Sequence, residues 1–129
     1  MAKTYQPHKN NKYWLPHHLY MQTLYLVRDY DRLQREYHDL IDETAKSDGQ
    51  PRESGPGDPT GKKAIRLEST AEKLRAVEQS IIMVQEEYRN HVLANVMYGS
   101  PYPGTADKRT WSRHRCRFIF SVAEKMRWI

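Results

Sequence analysis

The stretch "KRTWSRHRCRFIF", residues 108–120, combines high positive charge with large apolar side chains. Six of its thirteen residues are Lys, Arg or His, and it also carries Trp111 and Phe118. When residues 110–129 are placed on a helix at about 100° per residue, the two properties separate onto opposite faces. The stretch therefore predicts a C-terminal helix that begins at Lys108 or Thr110 and ends at about Arg127. The apolar stripe of this helix is expected to pack against the rest of the protein. That stripe consists of Trp111, Phe118, Ile119, Val122, Met126 and Ile129.

The opposite face of this helix is basic. Arg113 and Arg117 lie one turn apart on it, and Lys108 and Arg109 lie where the helix begins. Arg115 falls near the apolar stripe, so we expect its side chain either to snorkel, which places the guanidinium in water, or to pair with a partner group. Arginine forks match phosphate oxygens and the O6/N7 edge of guanine, so the basic face is suited to nucleic acid.

The net charge of +5 is concentrated at the same end of the chain. Residues 1–50 hold seven bases and seven acids, and residues 51–104 also hold seven of each. Residues 105–129 hold seven bases against only Asp107 and Glu124. A concentrated excess indicates an electrostatic footprint for an anion. The alternative is a solvated face, or one that pairs with acids of the first helix.

Two long amphipathic stretches precede the basic helix, and both have apolar positions in steps of three and four. They predict helix one over residues 17–45 and helix two from 59 to about 97. Joined by a loop, they would form a long antiparallel helical hairpin over 17–97, with a surface suited to self-association. The stripe of helix one is Leu19, Thr23, Leu26, Tyr30, Leu33, Tyr37, Leu40 and Thr44. The stripe of helix two is Leu67, Ala71, Leu74, Val77, Ile81, Val84, Tyr88 and Val92.

The connecting segments are rich in polar residues, Gly and Pro. We expect residues 1–16 to form a flexible N-terminal arm and residues 46–61 to form a mobile loop. Asp58 is expected to cap helix two, with Pro59 at its first position. The sequence leaves open whether helix two runs unbroken or breaks near Gln85.

Composition argues against several classes of protein. No run approaches the roughly 20 apolar residues of a membrane span, and the N-terminus is polar and basic, so we expect a cytoplasmic protein that does not enter the membrane. The single Cys116 excludes an internal disulfide framework. His8, His17 and His18 lack partners with metal-ligand spacing, so no metal is expected. We find no catalytic set and no nucleotide loop, and predict a protein that is not an enzyme and needs no cofactor.

Three segments carry a family resemblance: "DPTGKKAIRLES" (58–69), "EEYRNHVLANVMYGSPYPG" (86–104) and "RTWSRHRCRFIFSVAEKMRWI" (109–129). They resemble small phage and prophage regulators of the RinA/ArpU type, which are late-gene transcription activators of Gram-positive phages. The resemblance extends from about Tyr13 to Ile129 and is strongest after Asp58. It implies a phage or prophage DNA-binding protein.

The tail also resembles the promoter-binding C-terminal region of sigma factors, which contains a helix-turn-helix. By that likeness, residues 86–98 match the first helix and Thr110–Met126 the recognition helix of a helix-turn-helix-like segment over 86–129. The intervening "PYPGTADKR" (101–109) is shorter than the usual middle helix of about ten residues and contains two prolines and a glycine. The motif is therefore expected to be short and degenerate. The positions that face DNA by this likeness are Lys108, Arg109, Thr110, Arg113, His114 and Arg117.

These features predict an all-α DNA-binding transcription regulator of a phage or prophage. Its basic helix would contact double-stranded DNA, and its hairpin would form a homodimer or contact RNA polymerase. Two alternatives remain: a DNA-packaging subunit similar to a small terminase, or a helical interaction module whose tail pairs with an acidic protein.

Overall fold

The computed structural model describes residues 11–47 and 59–129, and these residues form α-helices with no strand among them. The all-α prediction is confirmed. Residues 1–10 and 48–58, which hold most of the predicted arm, most of the predicted loop and the Asp58 cap, lie outside the described residues. The helices are α1 (His17–Arg28), α2 (Tyr30–Ser47), α3 (Pro59–Ile82), α4 (Glu86–Tyr98) and α5 (Lys108–Lys125).

Helix one is interrupted at Asp29, so the prediction of a single helix over 17–45 is wrong at this residue. The amide of Asp29 donates to the carbonyls of both Tyr25 (3.0 Å) and Leu26 (3.2 Å), which tightens the last turn of α1. The carbonyl of Asp29 accepts from the amide of Leu33 at 2.9 Å, so helical bonding resumes at once. The apolar period continues across the interruption, which is why periodicity alone does not reveal it.

Helix two breaks into α3 and α4 near Gln85, which decides the alternative that the sequence left open. The amides of Met83 and Val84 donate to carbonyls three residues earlier, at 3.2 and 3.1 Å. The Arg89 guanidinium donates to the carbonyls of Ile82 and Val84, both at 2.7 Å. It thereby satisfies backbone oxygens that the end of α3 leaves without helical partners.

The two halves of the predicted hairpin pack in different places. α2 packs along α3, and α1 packs against α4 and α5. Ion pairs join Glu36 to Arg66 (3.2 Å) and Glu43 to Lys63 (3.3 Å), so α2 and α3 run in opposite chain directions. These pairs are exposed enough to contribute at most about 1 kcal/mol each, so the contact relies on buried leucines such as Leu33.

The C-terminal helix lies at the centre of the core, because α5 packs against α1, α3 and α4. Apolar residues from all five helices join one cluster of buried and partly buried side chains, so the tail and the preceding helices share a core. Fully burying a side chain such as Val122 stabilises the fold by about 1.5–3 kcal/mol. The buried residues of α5 are Trp111, Arg115, Cys116, Phe118, Ile119, Ser121, Val122 and Ala123.

The end of α5 departs from the predicted stripe. Arg127 adopts a left-handed backbone (φ 62°), and the Trp128 amide donates to the Ala123 carbonyl at 3.0 Å. This Schellman-type ending turns the chain, so Trp128 packs on the core while Ile129 is 49% exposed. The prediction that Ile129 belongs to the buried stripe is therefore wrong.

None of the helices among the described residues combines the length and the apolarity that crossing a membrane requires.

Candidate nucleic-acid interface

Helix α5 begins at a capped N-terminus. The Asp107 Oδ1 atom accepts the Thr110 amide at 2.9 Å and the Thr110 hydroxyl at 2.8 Å. These bonds hold the pKa of the Asp107 carboxyl below its usual range, and Arg109 and Arg113 add to the effect. The Thr110 hydroxyl proton is thus used within the cap, so this predicted site residue has only lone pairs left for a ligand.

Four of the predicted site residues form one exposed set, which we call the α5 basic row: Lys108, Arg109, Arg113 and Arg117. Among residues 11–47 and 59–129, no carboxylate lies within ion-pair distance of any of the four. Arg113 and Arg117 are about 6 Å apart along the helix axis, at about 1.5 Å per residue. The described part of the chain therefore leaves the row without the acidic partners that one alternative required.

His114 lies at the margin of the row and is partly buried. Its ring stacks on Tyr88 of α4, with centroids 4.4 Å apart and planes 26° from parallel. Burial lowers the pKa of the His114 imidazole, Arg113 and Arg117 lower it further, and Glu87 opposes them. His114 is therefore mainly neutral at pH 7, where it can donate or accept a hydrogen bond but adds little charge.

Trp111 anchors the helix beneath the row. It is 2% exposed and stacks on Tyr102, with centroids 4.7 Å apart and planes 4° from parallel. Tyr88 meets the same indole edge-on at 5.0 Å. Tyr102 belongs to residues 99–107, which contain no helix, so an aromatic side chain packs where a helix-turn-helix would place its middle helix. The signal in the sequence for this contact is an aromatic residue between two prolines, Pro101 and Pro103.

A buried polar network fixes α5 against α1 and α4. The Arg115 side chain donates from Nη1 to the Tyr20 hydroxyl (2.6 Å) and from Nε to Asn95 Oδ1 (3.2 Å). The Tyr102 hydroxyl donates to the same Asn95 oxygen at 3.0 Å, and Asn95 Nδ2 donates to the Ser100 carbonyl at 2.9 Å. Burial raises the pKa of Tyr102 to about 12, so its hydroxyl stays a donor. Of the two outcomes expected for Arg115, snorkelling to solvent or pairing, the structure shows the second, with a buried guanidinium that is hydrogen-bonded to Tyr20 and Asn95.

The described residues offer little for other chemistry. Cys116 is buried, and burial raises the pKa of its thiol, although Arg115 acts in the opposite direction. Within 11–47 and 59–129, no group of three or more His, Cys, Asp or Glu is placed to hold a metal ion. The distinctive feature of this part of the molecule is thus the α5 basic row and its buried support.

Comparisons with known proteins found no family model, no curated protein and no solved structure that matches this chain. Function has to be inferred from the α5 basic row and its surroundings.

Proposed function

We propose that this protein is a DNA-binding transcription regulator of a phage or prophage, a late-gene activator that contacts duplex DNA through the α5 basic row. The observation that carries the proposal is the exposure of four cations on a helix whose other face is held in the core. A polyanion would supply the negative charge that these four cations lack among the described residues.

Duplex DNA fits the shape of this face. An α-helix with its side chains is about 10–12 Å wide, and the major groove of B-DNA is about 12 Å wide. Lys108, Arg109 and Arg113 would mainly bind phosphates. Arg113 or Arg117 would reach a base edge, where a guanidinium can bind guanine with two hydrogen bonds.

The buried support of α5 favours binding because it reduces the freedom that has to be lost. Trp111 and Arg115 are both held from two sides, so the backbone beneath the row is ordered before DNA arrives. Binding then requires no ordering of this backbone, and the ordering cost within the protein is the side-chain entropy of the row, about 0.5–1.5 kcal/mol for each long side chain.

The proposal includes self-association through α2 and α3, and contact with RNA polymerase. Ile65 of α3 is 72% exposed and Ile41 of α2 is 39% exposed, which supports a further apolar contact on this pair of helices. Light scattering of the purified protein should give the mass of a dimer. A ring of many copies would contradict the regulator and favour a packaging subunit.

The proposal is tested by fluorescence anisotropy during a salt titration. The probes are duplexes from the DNA that flanks the gene and a scrambled duplex of equal length. A tenfold preference for one flanking duplex, about 1.4 kcal/mol, is expected for a regulator that reads sequence. Equal binding to all duplexes would indicate backbone recognition alone and favour packaging, and no binding at low salt would refute the proposal.

A further inference from the structure

The segment that precedes α1 lies against α5. The Tyr13 ring packs edge-on against Phe120 of α5, with centroids 5.5 Å apart and planes at 67° to each other. Two residues later, Leu15 is 1% exposed and belongs to the shared core. The beginning of the described chain is therefore fixed to one place on the C-terminal helix.

Lys12 is held in an ordered turn beside this contact. The Asn11 Oδ1 atom accepts the Tyr13 amide at 2.9 Å, and the Asn11 carbonyl accepts the Trp14 amide at 2.9 Å, so the backbone on both sides of Lys12 is fixed. The Lys12 ammonium lies over the Tyr13 ring, 5.0 Å from its centroid. Lys12 is exposed, and no carboxylate in the described part of the chain lies within ion-pair distance of it. The turn thus presents a cation that lacks an acidic partner among the described residues.

The position of Phe120 relates this cation to the arginines of α5. Phe120 comes three residues after Arg117 and seven after Arg113, and positions with this spacing share one face of a helix. Along the helix axis Phe120 lies about 4.5 Å beyond Arg117, at about 1.5 Å per residue. Because the Tyr13 ring contacts both Phe120 and the Lys12 ammonium, this cation prolongs the α5 basic row beyond Arg117.

From this placement we infer that Lys12 binds a phosphate of the same DNA duplex that the α5 basic row binds, beyond Arg117 along the helix. This inference rests on the proposed function and adds a contact from the other end of the chain. Duplex DNA carries about one negative charge per 1.7 Å of its axis, so a cation about one helical turn beyond Arg117 still meets phosphates. The sequence around Lys12 adds no repulsion, because no Asp or Glu occurs before Asp29.

The only acid in the sequence of α5 sets the limit of this contact. Glu124 is exposed one helical turn after Phe120, on the same face of the helix, and it lies beyond ion-pair distance of Lys12. Its carboxylate would repel phosphates. The DNA is therefore expected to follow α5 from its beginning to Lys12 and to leave the surface before the last turn of the helix.

The test replaces Lys12 and follows binding to one fixed duplex by fluorescence anisotropy at several salt concentrations. For Lys12→Ala we expect the slope of log K against log salt to become less steep by about 0.9, the value for one phosphate contact. Between 50 and 200 mM salt the wild-type protein should therefore lose about 3.5-fold more affinity than this variant. Lys12→Arg keeps the charge and should keep the wild-type slope.

The matched control is Lys125→Ala. It removes an exposed lysine from the last turn of α5, about 140° around the helix from Phe120. This variant lowers the net charge of the protein as much as Lys12→Ala does, but it should leave the salt slope unchanged, because Lys125 lies away from the face of the arginines. Circular dichroism melting reports whether each variant stays folded.

A folded Lys12→Ala variant that keeps the wild-type slope would overturn the inference. The proposed function would still stand if the removal of Arg113 and Arg117 makes the slope less steep. An equal change of slope in Lys125→Ala would also overturn the inference, because the effect would then depend on net charge and not on position. If wild-type protein binds no DNA, or binds independently of Arg113 and Arg117, the proposed function itself fails.

Discussion

Removal of Arg113 and Arg117 together is the most direct perturbation of the proposed interface. Both side chains are exposed on α5, and within 11–47 and 59–129 neither has a carboxylate partner. The double variant Arg113→Ala, Arg117→Ala should therefore keep the thermal stability of the wild-type protein while losing DNA affinity. Circular dichroism melting provides the folding control.

The size of the effect follows from the number of cations in the α5 basic row. If each of the four neutralises one phosphate, the row contributes about −3.6 to the slope of log K against log salt, and without two of them it contributes about −1.8. Between 50 and 200 mM salt this contribution should lower the affinity of the wild-type protein about 150-fold, and that of the double variant about twelvefold. Fluorescence anisotropy on one duplex at several salt concentrations measures both slopes.

A second double variant separates the local effect from a general loss of charge. Arg35→Ala with Arg75→Ala removes two exposed arginines from α2 and α3, so it changes the net charge of the protein equally. Its slope should remain close to that of the wild-type protein, because the row keeps its four phosphate contacts. The reasoning is refuted if this control flattens the slope as much as the α5 variant does, or if the α5 variant keeps the wild-type slope.

Three other predictions address the support of the row and its titration. Asn95→Ala removes the oxygen that accepts hydrogen bonds from both Arg115 and Tyr102, so it should lower the free energy of unfolding by about 1–3 kcal/mol in urea titrations. The control is Asn90→Ala on the exposed side of α4, which should change the free energy of unfolding by less than about 0.5 kcal/mol. The folded-state pKa of His114 is below its unfolded value, so its neutral form stabilises the fold fully above about pH 6.5, and this contribution is lost as the pH falls. DNA affinity should meanwhile rise as the pH falls below about 6.5 and the imidazole gains charge, and a His114→Gln variant with the same pH dependence would contradict this role. Cys116 should react with a thiol reagent at pH 8 only as fast as the protein opens, because its thiol is buried and the pKa of that thiol is raised. Rapid labelling of the folded protein would show that α5 does not pack in the core as described.

Local sequence determined the helices and the two faces of α5. The spacing of apolar residues predicted a helical stretch from 59 to about 97, which the structure divides into α3 and α4, and α4 ends where Gly99 adopts a left-handed φ of 73°. The separation of Trp111 and Phe118 from Arg113 also follows from spacing alone. Such features depend on residues within one or two helical turns, so a pattern in the sequence is enough to reveal them.

Tertiary structure alone decided how these helices hold one another. Arg115 meets Tyr20, which is 95 residues away, and Tyr102 stacks on Trp111 from a segment that has no helix. Met83 contacts Ser121 of α5 because α3 and α4 both pack against α5. The sequence around each of these residues does not reveal which distant residue it contacts. These contacts form only when the shared core folds and brings distant segments together. The sequence could therefore predict the basic face, whereas the buried network beneath it became visible only in the folded chain.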